Sequence, residues 1–143
     1  MSDLVNLMST VAYSGNIRCS YTWTIKNFKN LKEKKSEILF SDIFEIHEPD
    51  GRNTRWRLKF YPRGHIKAQD GDMSLFLEYM NNFVDVKISF ECSIWDETTK
   101  TKQNSFKVND HLYTKEISKD WGWSIFCTAD VIQGHPEWFS DEI

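Results

Sequence analysis

The sequence predicts an all-β domain, an antiparallel β-sandwich of about seven to eight strands with one short helix near the C-terminus. Three observations carry this. Several short runs alternate apolar and polar residues and are closed off by turn residues. Only one brief stretch has helical spacing, so strands and helices do not alternate as βαβ units. The chain is also aromatic-rich, with 6 Trp, 5 Tyr and 10 Phe, residue types that fit a pleated, half-buried surface. At 143 residues it can bury one sizeable core and is read as one domain.

The elements follow in chain order. Residues 1–18 are small, polar and weakly patterned, and are read as a flexible N-terminal segment. The sandwich is expected over 19–133 and a C-terminal tail over 134–143. Tyr21, Trp23 and Ile25 alternate with Thr22, Thr24 and Lys26, giving a strand that ends near Phe28. Lys29 to Lys35 reads as a basic, solvated loop. Glu37 to Ile46 is a second extended run anchored by Phe40 and Phe44. Pro49-Asp50-Gly51 is a turn, since proline presets φ and Asp-Gly takes the tight bend. Trp56, Leu58 and Phe60 alternate with Arg55, Arg57 and Lys59, a strand with one buried face. Tyr61-Pro62-Arg63-Gly64 ends it, and Asp70-Gly71 marks the next turn.

From Met73 to Met80, Leu75, Leu77 and Tyr79 share one face and Ser74, Phe76, Glu78 and Met80 the other. Phe76 therefore lies on the more polar face, as a singly exposed aromatic or as part of a binding floor. Val84, Val86, Ile88, Phe90, Cys92 and Ile94 alternate with polar residues in the longest such run, a strand with one wet face. Asp96 to Lys102 is a polar hairpin connection. Phe106 to Val108 and Leu112 to Ile117 read as shorter strands around an Asn109-Asp110 turn. Ser124 to Gln133 is the helix, with Ile125, Phe126, Ala129 and Ile132 able to share a face. Gly134-His135-Pro136 breaks it, and the tail carries Trp138, Phe139 and Ile143.

The formal net charge of -3 argues against a general nucleic-acid binder, which shows a basic stripe or patch. Three cysteines, Cys19, Cys92 and Cys127, form neither CxxC nor a Cys/His ligand series, which fits a reducing compartment. The N-terminal residues make a poor secretory signal, and no window approaches about 18 consecutive apolar residues. Nucleus or cytoplasm is the expected location, with no membrane partner.

The stretch Ser118-Lys119-Asp120-Trp121-Gly122-Trp123 stands out. Two indoles two positions apart leave an extended backbone on the same face. Gly122 between them lets another backbone come close. Lys119 and Asp120 put donors and acceptors at the edge of that surface. A rigid aromatic floor with polar handles is suited to holding a peptide; core filling is the competing use of the same rings.

No catalytic constellation emerges. His47, His65, His111 and His135 are scattered, without HExxH or zinc-ligand spacing, so neither a metal nor another cofactor is expected. Cys92 falls on the apolar side of a strand and reads as a small buried hydrophobe. Cys127 could act as a nucleophile only with His111 or His135 beside it.

Tyr21-x-Trp23-x-Ile25-x-Asn27-Phe28, Tyr61-Pro62-x-Gly64, Ser74-Leu75-Phe76-Leu77 and Lys119-Asp120-Trp121-Gly122-Trp123 together resemble a MATH domain, the TRAF-C-like sandwich, and most of all that of the speckle-type POZ proteins. The likeness runs from about Cys19 to Ile132 in matching order. It implies a non-enzymatic module that holds short, extended Ser/Thr-rich degrons in a shallow groove, as the substrate-recognition part of a cullin-RING ubiquitin ligase adaptor. The cullin would be reached only through a BTB domain that is not in this sequence. Carried over by position, the groove residues are Phe76, Phe90, Tyr113, Lys119, Asp120, Trp121 and Trp123. Phe76 replaces a family tyrosine and loses its hydroxyl. Trp123 stands where phenylalanine is usual. The family's last long strand, after the helix, has no counterpart, so an unpaired sheet edge is expected. The alternative is a TRAF-like scaffold that binds receptor or signalling-protein tails with no ligase role.

Overall fold

The computed structural model describes residues 4–81, 85–114 and 119–140. Val84, residues 115–118 and Ile143, to which the sequence reading assigned strand or tail positions, lie outside the described residues. The architecture is an antiparallel sandwich of two sheets with one short helix, as the alternation predicts. β1 (Leu4–Tyr13), β2 (Asn16–Lys26), β7 (Val86–Asp96) and β8 (Thr101–Tyr113) form one sheet in the order β2-β1-β7-β8. β3 (Leu39–Phe40), β4 (Phe44–His47), β5 (Asn53–Tyr61), β6 (Met73–Tyr79) and β9 (Asp120–Cys127) form the other. Its order is β3-β5-β6-β9, with β4 also pairing β5.

Residues 4–13 differ from the flexible segment expected of them. They are not a flexible lead-in but β1, laddered to β2 on one side and β7 on the other. Val5, Leu7, Ser9 and Val11 point inward and are 0–1% exposed. A serine among the inward positions and a methionine among the outward ones blur the period in the sequence. The hairpin to β2 turns on Ser14 (φ 49°) and Gly15 (φ 82°). Positive φ at both central residues is the two-residue turn whose twist matches its strands. β1 thus lies between β2 and β7 and pairs with both, while β9 ends the other sheet with β6 as its one strand partner among the described residues.

Other element boundaries differ from the expected ones for local reasons. Phe40 is exposed rather than an anchor; the Arg57 guanidinium lies 3.8 Å from its ring centroid. Phe44 is buried and stacks on Tyr21 at 4.5 Å. Asn109-Asp110 is not a turn between strands. β8 runs through it, and the ladder with β7 shifts register there and again near Asn104. Asn104 (φ 53°) and Asp110 (φ 52°) take the left-handed conformation that such bulges use. Ser124 to Cys127 belong to β9, not to a helix, because pairing with β6 extends to Met73↔Cys127. The helix α1 spans Ala129–Gly134, with the Thr128 hydroxyl accepting from Val131 N at 3.3 Å. The expected tail contributes to the core: Trp138 and Phe139 are buried in a 3-10 turn, and Phe139 stacks on Phe28 at 4.9 Å.

The core lies between the sheets. Trp56, Leu58 and Phe60 of β5, Leu75 and Leu77 of β6, and Ile88, Phe90, Cys92 and Ile94 of β7 are all at or below 1% exposure. These are the inward sets that the period-two reading picked out.

Candidate functional site

β9 is the terminal strand of its sheet and pairs with β6 alone among the described residues. The register sets Leu77 opposite Trp121, Phe76 opposite Gly122 and Leu75 opposite Trp123. Opposed residues share a face. Trp121 and Trp123 therefore do leave the same face, but it is the inward face of Leu75 and Leu77. Gly122 points outward with Phe76. A Cβ on Gly122 would meet Leu75 O at 2.3 Å and Phe76 Cα at 2.7 Å. The backbone that comes close at this glycine is that of β6.

With no side chain at Gly122, the outer surface dips into a groove of ≈ 630 Å³ along β9. Tyr61, His65 and Phe76 wall it on one side; Asp120, Trp121 and His111 close it on the other. Phe76 is half-buried and packs edge-on against Tyr61 at 5.7 Å and His65 at 5.9 Å. Ser74 holds this wall in place. Its hydroxyl accepts from His65 N at 2.8 Å and donates to Ser124 O at 2.5 Å, which ties the turn after β5 to β9.

Charge along the groove is organised across strands. Glu78 and Asp120 stand directly opposite each other on β6 and β9. Such a like-charge pair is unfavourable unless a cation joins it. Lys59 donates to Asp120 at 2.7 Å and lies 3.8 Å from Glu78, while Arg57 donates to Glu78 at 2.5 Å. Burial works against the Lys59 charge, but the Asp120 hydrogen bond and charge outweigh it and raise the ammonium above its ordinary value.

The seven residues expected to form the site divide. Phe76, Asp120 and Trp121 line the groove, and Lys119 is exposed just before β9. Trp121 remains 48% exposed at the margin and stacks on His111 at 4.4 Å and 15°. Trp123 does not line the groove. Half-buried, it turns inward against Phe90 (5.6 Å), Phe106 (5.8 Å) and Phe126 (6.0 Å). Phe90, at 1% exposure, and Tyr113, at 0%, are core residues rather than surface contacts. The Tyr113 hydroxyl already donates to Leu77 O at 2.9 Å, and burial pushes its pKa well above the usual phenol value.

Sequence reasoning missed Tyr61, His65, Lys67, His111 and Ser124 as lining residues. Parity was the available signal for His111, which shares its strand face with Tyr113 two positions on. Cys92 is fully buried, and burial raises its thiol to about 12. Burial, with Asp72 nearby, raises Cys127 to about 11. Both thiols stay protonated at neutral pH. Among the described residues no group of three or more His, Cys, Asp or Glu is placed to hold a metal ion, and no helix is long and apolar enough to cross a membrane.

The family model for the MATH domain matches residues 20–141. β1 lies before that stretch, although it completes the sheet that β2 and β7 share. The match takes in both walls of the groove and most of the sandwich core, and the chain belongs to the MATH family of protein-interaction modules.

Proposed function

We propose that the groove along β9 binds short, extended Ser/Thr-rich segments of other proteins. In this reading the domain is the substrate-recognition part of a cullin-RING ubiquitin ligase adaptor of the speckle-type POZ kind, with its substrates sent to ubiquitin-dependent degradation. One observation carries the peptide reading: a terminal strand bordered by a groove whose floor is a glycine and whose walls are Phe76 and Trp121. A terminal strand offers backbone groups to an added strand, and flanking pockets select its alternate side chains. Apolar peptide residues would rest against Phe76 and Trp121, and peptide hydroxyls would bond to Asp120 and Lys119.

A titration with a Ser/Thr-rich peptide, followed by intrinsic tryptophan fluorescence, tests this. Saturable binding near micromolar Kd corresponds to about 8 kcal/mol. Trp121→Ala should cost about 2 kcal/mol or more of that, roughly a thirtyfold loss. Circular dichroism checks that the variant is folded. Wild-type affinity in a folded Trp121→Ala chain would remove β9 from the binding surface.

A further inference from the structure

Trp121 belongs to β9 and His111 to β8, strands of different sheets that share no ladder. Their rings stack at 4.4 Å and 15° across the margin between the sheets. His111 lies opposite the buried Ile88 in register, so it shares the inward face of β8 with Tyr113. The Tyr113 ring, fixed in the core, meets the imidazole edge-on at 4.8 Å. Farther along the same two strands, Asn104 Nδ2 donates to Phe126 O at 2.6 Å and keeps β8 and β9 in place beside each other.

Trp121 is 48% exposed, too open for core neighbours alone to fix its side-chain torsions. A half-exposed side chain on a terminal strand loses rotamer freedom when a ligand closes over it, and that ordering weakens binding. A flat ring held against one face of the indole imposes the order before a ligand arrives. His111 is such a ring. It is backed by a buried tyrosine, and it lines the groove together with Trp121 and Asp120.

We propose that His111 is a positioning residue for peptide binding: its imidazole covers one face of Trp121 and holds the indole in the orientation that a bound segment meets. The inference rests on the groove being a peptide site, and adds to that site a residue from the opposite sheet. His111 acts through Trp121 rather than by touching the peptide. The role needs a flat ring and neither a charge nor a ring nitrogen. A phenyl ring can therefore replace the imidazole, and an aliphatic side chain cannot.

Anisotropy of a labelled Ser/Thr-rich peptide, titrated with wild-type and variant chains, tests this. His111→Ala should bind about fivefold more weakly, as the ordering of one side chain on binding allows. His111→Phe should regain most of that loss. In a chain that already carries Trp121→Ala, adding His111→Ala should change affinity by less than about twofold, because a residue that acts through the indole has nothing left to act on. Circular dichroism and urea midpoints check that each variant is folded. If His111→Ala does not fold, His111→Leu fills the space without a flat ring and should show the same loss. Wild-type affinity in the folded Ala or Leu variant overturns the proposal, and the groove reading then stands or falls on Trp121→Ala alone. His111→Phe binding as weakly as His111→Ala also overturns it, because the nitrogens and not the stack would then matter. A full fivefold loss repeated in the Trp121→Ala chain would make His111 a direct peptide contact and overturn its positioning role. If no peptide binds the folded wild-type chain, the groove reading fails and takes this inference with it.

Discussion

β1 and β9 are strands of 10 and 8 residues with opposite positions in the sandwich. β1 is laddered on both sides, and its inward Val5, Leu7 and Val11 are sealed off. β9 is laddered on one side, and its inward-facing Trp121 stays half exposed, stacked on His111 at the margin. Both strands show period two, so alternation alone cannot tell them apart. What separates them is the number of neighbours. A strand in the middle of a sheet closes the core over its inward residues. At the margin the same face opens to solvent and can serve for recognition.

The sharpest way to break this comparison is to weaken β1. Leu7→Ala deletes a fully buried side chain between the sheets and should cost about 2–5 kcal/mol. Urea denaturation would read this as a lower midpoint with the slope unchanged. A shift under about 1 kcal/mol would mean that β1 is not part of the cooperative core.

The same reasoning gives β9 a different weak point. Gly122→Ala places a methyl against the β6 backbone, at 2.3 Å from Leu75 O. The strands must part, at a cost of about 1–3 kcal/mol. Amide exchange should quicken across the Phe76 and Trp121 region while β1 keeps its protection. Uniformly faster exchange would show that β9 does not open independently of the rest.

Much of this fold could be read from residue order. The inward sets of β5, β6 and β7 follow from strict alternation, and the pattern of its own strand places Phe76 outward. β1 was not legible, because Ser9 takes an inward position with no apolar side chain to mark it. Nor was the bulged course of β8, where Asn109-Asp110 looks the same in a bulge as in a turn. For the groove, the Trp-Gly-Trp spacing correctly put both indoles on one face, but spacing does not say which face. Cross-strand register with Leu75 and Leu77 decides that. Phe90 and Tyr113 illustrate the same limit: a position transferred by family likeness carries no information on burial.

Tyr113 offers a milder test of the boundary between core and groove. Tyr113→Phe removes the hydrogen bond to Leu77 O and should cost about 1 kcal/mol of stability. Peptide affinity should not change, since the ring is 0% exposed. A drop in affinity at unchanged fold, measured in the same fluorescence titration, would put the hydroxyl back among the peptide contacts.

The smallest effect concerns the margin itself. His111 packs between the Tyr113 ring, at 4.8 Å, and the Trp121 indole, at 4.4 Å. Burial lowers its pKa below the ordinary imidazole value. The unfolded chain therefore takes up a proton first as pH falls through about 6.5. In that window the unfolded state holds more protons, so stability rises with pH and is lost on acidification until the folded state protonates as well. The contribution is present above about pH 6.5, where both states hold a neutral ring. His111→Phe keeps an aromatic partner for Trp121 and removes the titration. Comparing urea midpoints at pH 7.5 and 5.5, the wild-type chain should lose more stability than His111→Phe. Equal losses would mean that the imidazole is solvated alike in both states, and that the β8–β9 margin is more open than the Trp121–His111 stack implies.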